Sequence, residues 1–162
     1  INCFSVGIDQ NFDILNLAKN KLINNCVIPN LVNGNSEILP FKSNIFDLVI
    51  TSFGFRNFTD KSAALDEFKR ILKLSGKLVI LEFSEPSPFI NYIYKLYRSK
   101  FIPKLGEYVT GDKMSYQYLS ESIEVFEKQE QLKSLIEKSG FENVSYNNLM
   151  SGLVAIHKGY KC

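Results

Sequence analysis

Short continuous runs of apolar residues recur along the chain without polar alternation. The run of Phe46, Leu48, Val49 and Ile50 is typical of a strand buried on both faces, as strands of parallel sheets are. We expect this strand at residues 47–51. Similar runs predict further strands at 3–8, 31–34 and 77–83, and an antiparallel pair at 141–146 and 153–157.

Between these runs, apolar residues recur at helical spacing. Asn11 is the expected N-cap of the first helix. Asp60 is the expected cap of the second helix, at residues 60–72, and Ser75 and Gly76 are its expected stop signal. A third helix is predicted at 127–139. Strands that alternate with helices in this way are typical of an α/β fold with parallel strands and right-handed crossovers.

Composition and charge narrow the class of protein. With 162 residues, the chain has the size of one domain that can bury a sizeable core, so we expect a single domain over residues 1–162. A formal net charge of +2 gives no electrostatic basis for nucleic-acid binding. The chain lacks an apolar run of roughly 18 residues, which argues against a transmembrane helix.

Cysteine and histidine usage gives no catalytic or metal signature. Cys3, Cys26 and Cys162 lie in no metal-ligand spacing, so three unpaired thiols in a reduced compartment and no metal site are expected. His157 is the only histidine and falls on a late strand. We expect it to be structural, although the pKa of histidine suits acid–base chemistry.

Asp9 closes the first predicted strand and lies directly before the first helix. A carboxylate in this place can accept hydrogen bonds from both ribose hydroxyls of an adenosine cofactor. NAD-dependent dehydrogenases use a carboxylate there for the same reason, so the residue indicates an adenosine ribose without naming the cofactor. The alternative is an ordinary acidic residue at a helix start.

The central apolar strand runs into the turn S-F-G-F-R-N at residues 52–57. In an open α/β sheet, ligands bind at this end of the strands. Gly54 is expected to provide the tight turn. Arg56 needs a partner, because an unpaired buried charge is costly, and that partner is either a ligand or a structural salt bridge. Glu82, near the end of a buried strand, either faces the cleft or pairs with Arg56.

Several blocks together resemble one family of enzymes. The blocks are N-S-E-I-L-P-F at 35–41, F-D-L-V-I-T-S-F-G-F-R-N at 46–57, L-E-F-S at 81–84 and Y-Q-Y-L-S-E-S-I at 116–123. They are similar to the quinone-biosynthesis C-methyltransferases, which include the 2-methoxy-6-polyprenyl-1,4-benzoquinol methylases and the demethylmenaquinone methyltransferases. L-P-F occurs in many methyltransferases, but S-F-G-F-R-N combined with Y-x-Y-L-x-E-S-I is specific. The resemblance covers nearly the whole chain.

The resemblance implies a class I S-adenosylmethionine-dependent methyltransferase with a Rossmann-like α/β sheet of strand order 3-2-1-4-5-7-6. The strand that should lie first in the chain, with its Gly-rich loop, has no counterpart before residue 3, so we expect a fragment of a methyltransferase. The expected reaction of the parent protein is C-methylation of a polyprenylated benzoquinol, a demethylmenaquinol or both, in ubiquinone and menaquinone biosynthesis. The fragment itself is expected to be inactive.

The family pattern also implies roles for particular residues. Cofactor contacts to S-adenosylmethionine are expected from four positions: Asp9, Asn35, Ser36 and Ser52. For Asn35 and Ser36 the alternative is plain turn chemistry. Arg56 is the candidate for stabilising a phenolate, and Asn57 for orienting the ring oxygen; no metal is required. Four tyrosines are candidates for packing around the ring or prenyl tail: Tyr94, Tyr97, Tyr116 and Tyr118.

Residues 86–103 form a wide aromatic and apolar face at helical spacing. Ordinary core, a lid over an apolar substrate and a membrane-surface helix are the three interpretations. We favour a lid that also touches membrane, within a helical insertion at about 86–125, because methyltransferases of this class insert substrate-recognition elements after the fifth strand.

The resemblance implies a polyprenyl quinol as substrate, together with peripheral membrane contact and either a homodimer or a quinone-biosynthesis complex. The expected location is the cytoplasm or the inner membrane surface, on the matrix side in a mitochondrion. Two alternatives remain. A catalytically silent scaffold subunit would keep the aromatic segment and lose cofactor affinity, and an NAD-dependent oxidoreductase would share Asp9 and the sheet.

Overall fold

A computed structural model describes residues 4–86, 122 and 126–162. In chain order, the elements within these ranges are β1 (Gly7–Asp9), α1 (Phe12–Asn24), β2 (Leu31–Asn33), β3 (Phe46–Ser52), α2 (Lys61–Ile71), β4 (Leu72–Phe83), α3 (Gln129–Lys138), β5 (Glu142–Leu149) and β6 (Val154–Tyr160). Single 3-10 turns occupy Phe55–Asn57 and Met150–Gly152.

The strands form two sheets. In the first, β1 pairs in parallel with β2. The second has the order β3-β4-β6-β5, with β3 parallel to β4 and the other two pairs antiparallel. Read as β2-β1 followed by β3-β4-β6-β5, this order matches the predicted 3-2-1-4-5-7-6, and among the described residues no strand occupies the first position, between β1 and β3. The predicted α/β class is confirmed.

The outer side of β3 departs from the prediction. Leu48 is 45% exposed and Ile50 is 62% exposed, so the strand is not buried on both faces. Both side chains border the open space between β1 and β3, which no strand fills among the described residues. Val49 and Phe46 point the other way and pack against the core.

The hydrophobic core lies where α2 and α3 pack against the sheet. Leu78 and Ile80 of β4 are fully buried, and they form one cluster with side chains from both helices. Each such burial contributes about 1.5–3 kcal/mol. The helical members of the cluster are Ala64, Leu65, Phe68, Ile71, Leu132 and Ile136.

The starts of the first two helices follow the sequence. The Asn11 side chain accepts hydrogen bonds from the backbone N–H of Asp13 (2.9 Å) and Ile14 (3.2 Å). The Asp60 carboxylate accepts one from the backbone N–H of Ala63 at 2.9 Å. Both are standard N-caps, in which the side chain satisfies amides that the helix leaves unpaired.

The α2 helix ends within one residue of its predicted end, but the expected stop signal at Ser75 and Gly76 and the start of β4 are corrected. The helix ends at Ile71 and β4 begins at Leu72, before the predicted stop at Ser75 and Gly76. These two residues lie inside β4, at an irregularity in its register with β3. A Cβ on Gly76 would lie 2.7 Å from the carbonyl oxygen of Lys73, so close backbone approach explains the glycine.

Other boundaries shift by a few residues. β1 is confined to Gly7–Asp9, and Cys3 lies outside the described ranges. β5 and β6 extend further than predicted, and they pair antiparallel as expected. Cys26 and Cys162 are free and exposed. No helix within the described ranges has both the length and the apolar character needed to cross a membrane.

Candidate cofactor and active site

A cavity of about 680 Å³ lies between β1 and β3. Its walls are the ends of β1 and β3, the loop after β2 and the turn after β3. Polar members of the lining include five of the predicted site residues: Asp9, Asn35, Ser36, Ser52 and Asn57. Leu48 and Ile50, the exposed side chains of β3, line the same space. The structure therefore brings the predicted cofactor residues to one place.

Asp9 is fixed at this cavity by its own backbone and side chain. Its carbonyl oxygen accepts hydrogen bonds from the Gly34 amide (3.1 Å) and from Asn33 Nδ2 (3.0 Å). Its Oδ1 accepts one from the Asn11 amide at 2.8 Å. The Asp9 carboxylate thus acts as an acid at the start of the helix. The residue also borders the cavity, as a ribose-binding role requires.

The loop after β2 is held by its own polar groups. Asn35 Oδ1 accepts a hydrogen bond from the Glu37 amide at 2.9 Å, which is the turn chemistry that the sequence left open. Glu37 Oε1 in turn accepts from the amides of Thr59 (2.8 Å) and Asp60 (3.0 Å). Sequence reasoning missed Glu37, although its carboxylate ties this loop to the start of α2.

The corner at residues 39–41 is a packing feature. Glu67 and Arg70 form an ion pair at 2.6 Å, and the Glu67 carboxylate also accepts from the Leu39 amide at 2.7 Å. Arg70 donates to the carbonyl oxygens of Leu39 and Phe41. The hydrogen bond from Arg70 lowers the pKa of Glu67. The Phe41 ring meets the Phe46 ring edge-on, with 5.2 Å between centroids, and both pack against the core.

The turn after β3 carries its positive φ at Phe53 rather than at Gly54. Phe53 has φ +54°, whereas Gly54 has an ordinary φ of −111°. The expectation that Gly54 supplies the tight turn is therefore wrong. Phe53 is held by a 2.9 Å hydrogen bond from its amide to the Leu81 carbonyl and by its ring against Phe83, 4.8 Å between centroids.

Arg56 and Glu82 form a salt bridge. Of the two partners that the sequence allowed for Arg56, a ligand or a structural salt bridge, the structure shows the salt bridge. Arg56 Nη1 lies 2.8 Å from Glu82 Oε1, and the two side chains are 9% and 1% exposed. Arg56 also donates from Nε to Ser122 Oγ at 3.3 Å and lies over the Phe83 ring. Asn57 lines the cavity, and Arg56 is not among the lining residues. The carboxylate of Glu82 faces Arg56 and the end of its own strand.

His157 lies apart from the cavity. It is 2% exposed on β6, with Nε2 2.9 Å from the Gln129 carbonyl oxygen and its ring near Tyr146. Burial lowers the pKa of His157, so the neutral form is favoured. This packing fits the structural role expected from the sequence.

The substrate-side predictions fall on another part of the chain. Tyr94, Tyr97, Tyr116 and Tyr118 lie outside the described residues. Across residues 4–86, 122 and 126–162, no group of three or more histidine, cysteine or acidic side chains could hold a metal ion.

The chemistry of the cavity suits an adenosine cofactor. Asp9 presents a carboxylate beside the end of a parallel strand, where ribose hydroxyls are bound in sheets of this kind. Asn35 and Ser36 add an amide and a hydroxyl on the neighbouring loop, and Ser52 adds a hydroxyl across the cavity. These residue types fit the donors and acceptors of a nucleoside.

The fold belongs to the class I methyltransferases. A crystal structure of a SAM-dependent methyltransferase from Thermotoga maritima superimposes with a TM-score of 0.69 at 20% identity, covering 98% of this chain and 73% of that one. The [4+2]-cyclase SpnF superimposes with a TM-score of 0.71 at 15% identity, covering 96% and 66%. Because enzymes with different reactions share this fold, the fold alone does not define the reaction.

Sequence similarity defines the family. The model of the ubiE/COQ5 methyltransferase family matches residues 4–161, and the chain belongs to that family. A curated relative, the ubiquinone/menaquinone biosynthesis C-methyltransferase UbiE of Haemophilus ducreyi, is 46% identical over 157 residues, which is 94% of this chain. The chain spans 60% of the length of that relative. The family predicted from the sequence blocks is confirmed.

Proposed function

We propose that the protein to which this chain belongs uses S-adenosylmethionine to methylate a ring carbon of a polyprenylated benzoquinol, a demethylmenaquinol or both. The observation that carries the proposal is the 46% identity to a ubiquinone/menaquinone biosynthesis C-methyltransferase over nearly the whole chain. The dehydrogenase alternative rested on Asp9, which both classes use, and the family match favours the methyltransferase.

In this proposal the strand-end part of the cavity between β1 and β3, where Asp9, Asn35, Ser36 and Ser52 lie, holds the adenosine part of S-adenosylmethionine. Asp9 accepts the ribose hydroxyls, Asn35 and Ser36 contact the adenine, and Ser52 contacts the cofactor from the opposite wall. When bound, S-adenosylmethionine supplies an electrophilic methyl group. The support for these assignments is that all four residues line one cavity.

The protein's own contribution is to position the quinol and to stabilise the negative charge that develops on its oxygen. Asn57 lies on the cavity and is suited to donate a hydrogen bond to that oxygen. Arg56 precedes Asn57 on the same turn, and we propose that its guanidinium supports the negative charge from behind the cavity wall. Its charge is partly balanced by Glu82, so we assign it electrostatic support and not proton removal.

The substrate is expected to lie against the segment that follows β4. We propose that Tyr94, Tyr97, Tyr116 and Tyr118 pack around the ring and the prenyl tail. The same segment, at about 86–125, is proposed to act as a lid with peripheral membrane contact. Assembly as a homodimer or within a quinone-biosynthesis complex is part of the same proposal.

A methyl-transfer assay tests the proposed reaction. The chain is extended at its amino-terminal end with the corresponding part of the Haemophilus ducreyi relative and is incubated with labelled S-adenosylmethionine and short-chain analogues of both quinols. Mass spectrometry should find the new methyl group on carbon. Asn57→Ala should lower kcat by about 10²-fold, because it removes a donor to the developing charge.

Lys73→Gln is the control for this assay. It removes a charge whose only role among the described residues is an ion pair with Asp47, which is 82% exposed, and it should leave kcat unchanged. Binding of S-adenosylmethionine without methyl transfer to either quinol would contradict the proposed reaction. Loss of both cofactor binding and methyl transfer would favour a silent scaffold.

A further inference from the structure

Glu82 is a carboxylate in the interior of the protein. It lies on β4, directly between β3 and β6, where its backbone is paired with Ala155. The residue is 1% exposed, in the run at 78–83, which is otherwise apolar. A charge this deeply buried is unfavourable unless it is fully paired and hydrogen-bonded. Its partners therefore indicate why the position holds an acid.

Three donors converge on its two oxygens. Oε2 accepts a hydrogen bond from the backbone N–H of Arg56 at 3.2 Å. Oε1 accepts from Arg56 Nη1 at 2.8 Å and from the Phe83 amide at 3.0 Å. One carboxylate thus binds both the main chain and the side chain of the residue next to Asn57.

Arg56 connects the Glu82 carboxylate to the rest of the turn at 53–57. Arg56 Nη1 also donates to the carbonyl oxygen of Phe53, the residue that has a positive φ. A left-handed conformation is unfavourable for a bulky side chain, so it persists only where neighbouring contacts impose it. Arg56 Nε extends the same connection to Ser122, which lies far along the chain.

We propose that Glu82 is a positioning residue for methyl transfer: by binding the amide and guanidinium of Arg56, it fixes the turn at 53–57 so that Asn57 faces the cavity. The inference rests on the proposed function. Glu82 touches neither substrate nor cofactor. It acts on the geometry of the residues that do.

A matched ion pair elsewhere allows the positioning role to be separated from simple stabilisation. Glu67 also pairs with an arginine, Arg70, and also accepts a hydrogen bond from a backbone amide, that of Leu39. Together with Arg70, it fixes the packing corner at residues 39–41. Loss of Glu67 should therefore lower stability while leaving the turn intact.

The test compares Glu82→Gln, Glu82→Asp and Glu67→Gln in the amino-terminally extended enzyme. A glutamine offers a single oxygen where three donors converge, so Glu82→Gln should displace the turn and lower kcat by about 10²-fold. KM for S-adenosylmethionine should stay within about threefold, because the proposed ribose and adenine contacts are elsewhere. Glu82→Asp keeps the charge and should recover part of kcat. Glu67→Gln should lower Tm with little change in kcat.

A second readout does not depend on activity. The Nε–H of Arg56 donates to Ser122 in a nearly buried position, so its NMR signal should exchange slowly with solvent in the unaltered enzyme. Glu82→Gln should make that exchange fast, whereas Glu67→Gln should not. If Glu82→Gln fails to fold, kcat and the Arg56 Nε–H exchange of Glu82→Asp decide whether Glu82 positions the turn.

The results separate the two proposals. If the unaltered enzyme methylates neither quinol, the proposed function fails, and the Arg56 Nε–H exchange alone decides whether Glu82 fixes the turn. If the enzyme is active and Glu82→Gln keeps normal kcat or slow exchange, the positioning role is overturned and the proposed function stands. A fall in kcat no larger than that of Glu67→Gln would also overturn it.

Discussion

At the scale of single residues, Asp9 combines two tasks that the sequence presented as alternatives. Its Oδ1 accepts the Asn11 amide at the start of α1, and the residue borders the cavity. The residue type could not decide between them, because an acid suits both a helix start and a ribose. A matched pair of substitutions can measure whether the Asp9 carboxylate contributes to cofactor affinity or only to the start of α1.

Asp9→Ala should weaken binding of S-adenosylhomocysteine to the amino-terminally extended chain by about tenfold or more, since a charge-assisted hydrogen bond to a ribose hydroxyl contributes about 1.5–3 kcal/mol. Asp13→Ala is the control. Asp13 lies in the first turn of the same helix, so its loss removes a similar interaction with the helix dipole. Calorimetry measures both. Equal weakening by the two variants would show that Asp9 acts only as a helix-start acid.

The partner of Arg56 could not be predicted from the sequence. The residue types allowed either a salt bridge or two groups facing a ligand, since both satisfy a partly buried charge. Only the register of β4 beside the turn after β3 brings the carboxylate to 2.8 Å from the guanidinium. Asn57, predicted together with Arg56, does reach the cavity.

At the scale of elements, the starts of the first two helices were predictable and the start of β4 was not. Asn11 and Asp60 cap their helices through contacts within the next few residues, which a local pattern can show. The start of β4 depends on a distant strand. Leu72 already pairs with Phe46 of β3, so the ladder begins before the Ser75-Gly76 signal. Long-range pairing therefore overrode the local stop signal.

Asp60→Ala should lower the free energy of unfolding by about 1 kcal/mol, because the Ala63 amide loses its capping acceptor. Asp60→Asn is the matched control, since an amide oxygen also caps well and should retain most of the stability. Urea unfolding followed by circular dichroism measures both variants. If the two lose the same stability, the loss comes from the negative charge and not from the cap.

The exposure of β3 has a similar origin. Its unbroken apolar run predicted burial on both faces, yet Leu48 and Ile50 are largely exposed. Apolar character indicates that a surface is suited to burial, whereas actual burial requires a neighbour. The pattern of one strand carries no information about whether that neighbour is present.

At the scale of the whole molecule, the order of the strands followed from the family resemblance, and the described strands form two sheets. β2-β1 and β3-β4-β6-β5 keep the predicted order on both sides of the cavity. The four proposed cofactor residues come from separate loops and strand ends, and they meet at that cavity. Their meeting could be predicted only through the family resemblance. The tyrosine assignments lie outside the described residues and stay predictions.

The central claim is that the strand ends and loops that carry Asp9, Asn35, Ser36 and Ser52, at one end of the cavity between β1 and β3, form the cofactor site of a methyltransferase. The most direct test is calorimetric titration of S-adenosylhomocysteine into two proteins, this chain and the amino-terminally extended chain, with NAD as the control ligand. We predict micromolar binding of S-adenosylhomocysteine to the extended chain, little or none to this chain, and no binding of NAD to either. Failure of S-adenosylhomocysteine to bind either protein would contradict the claim.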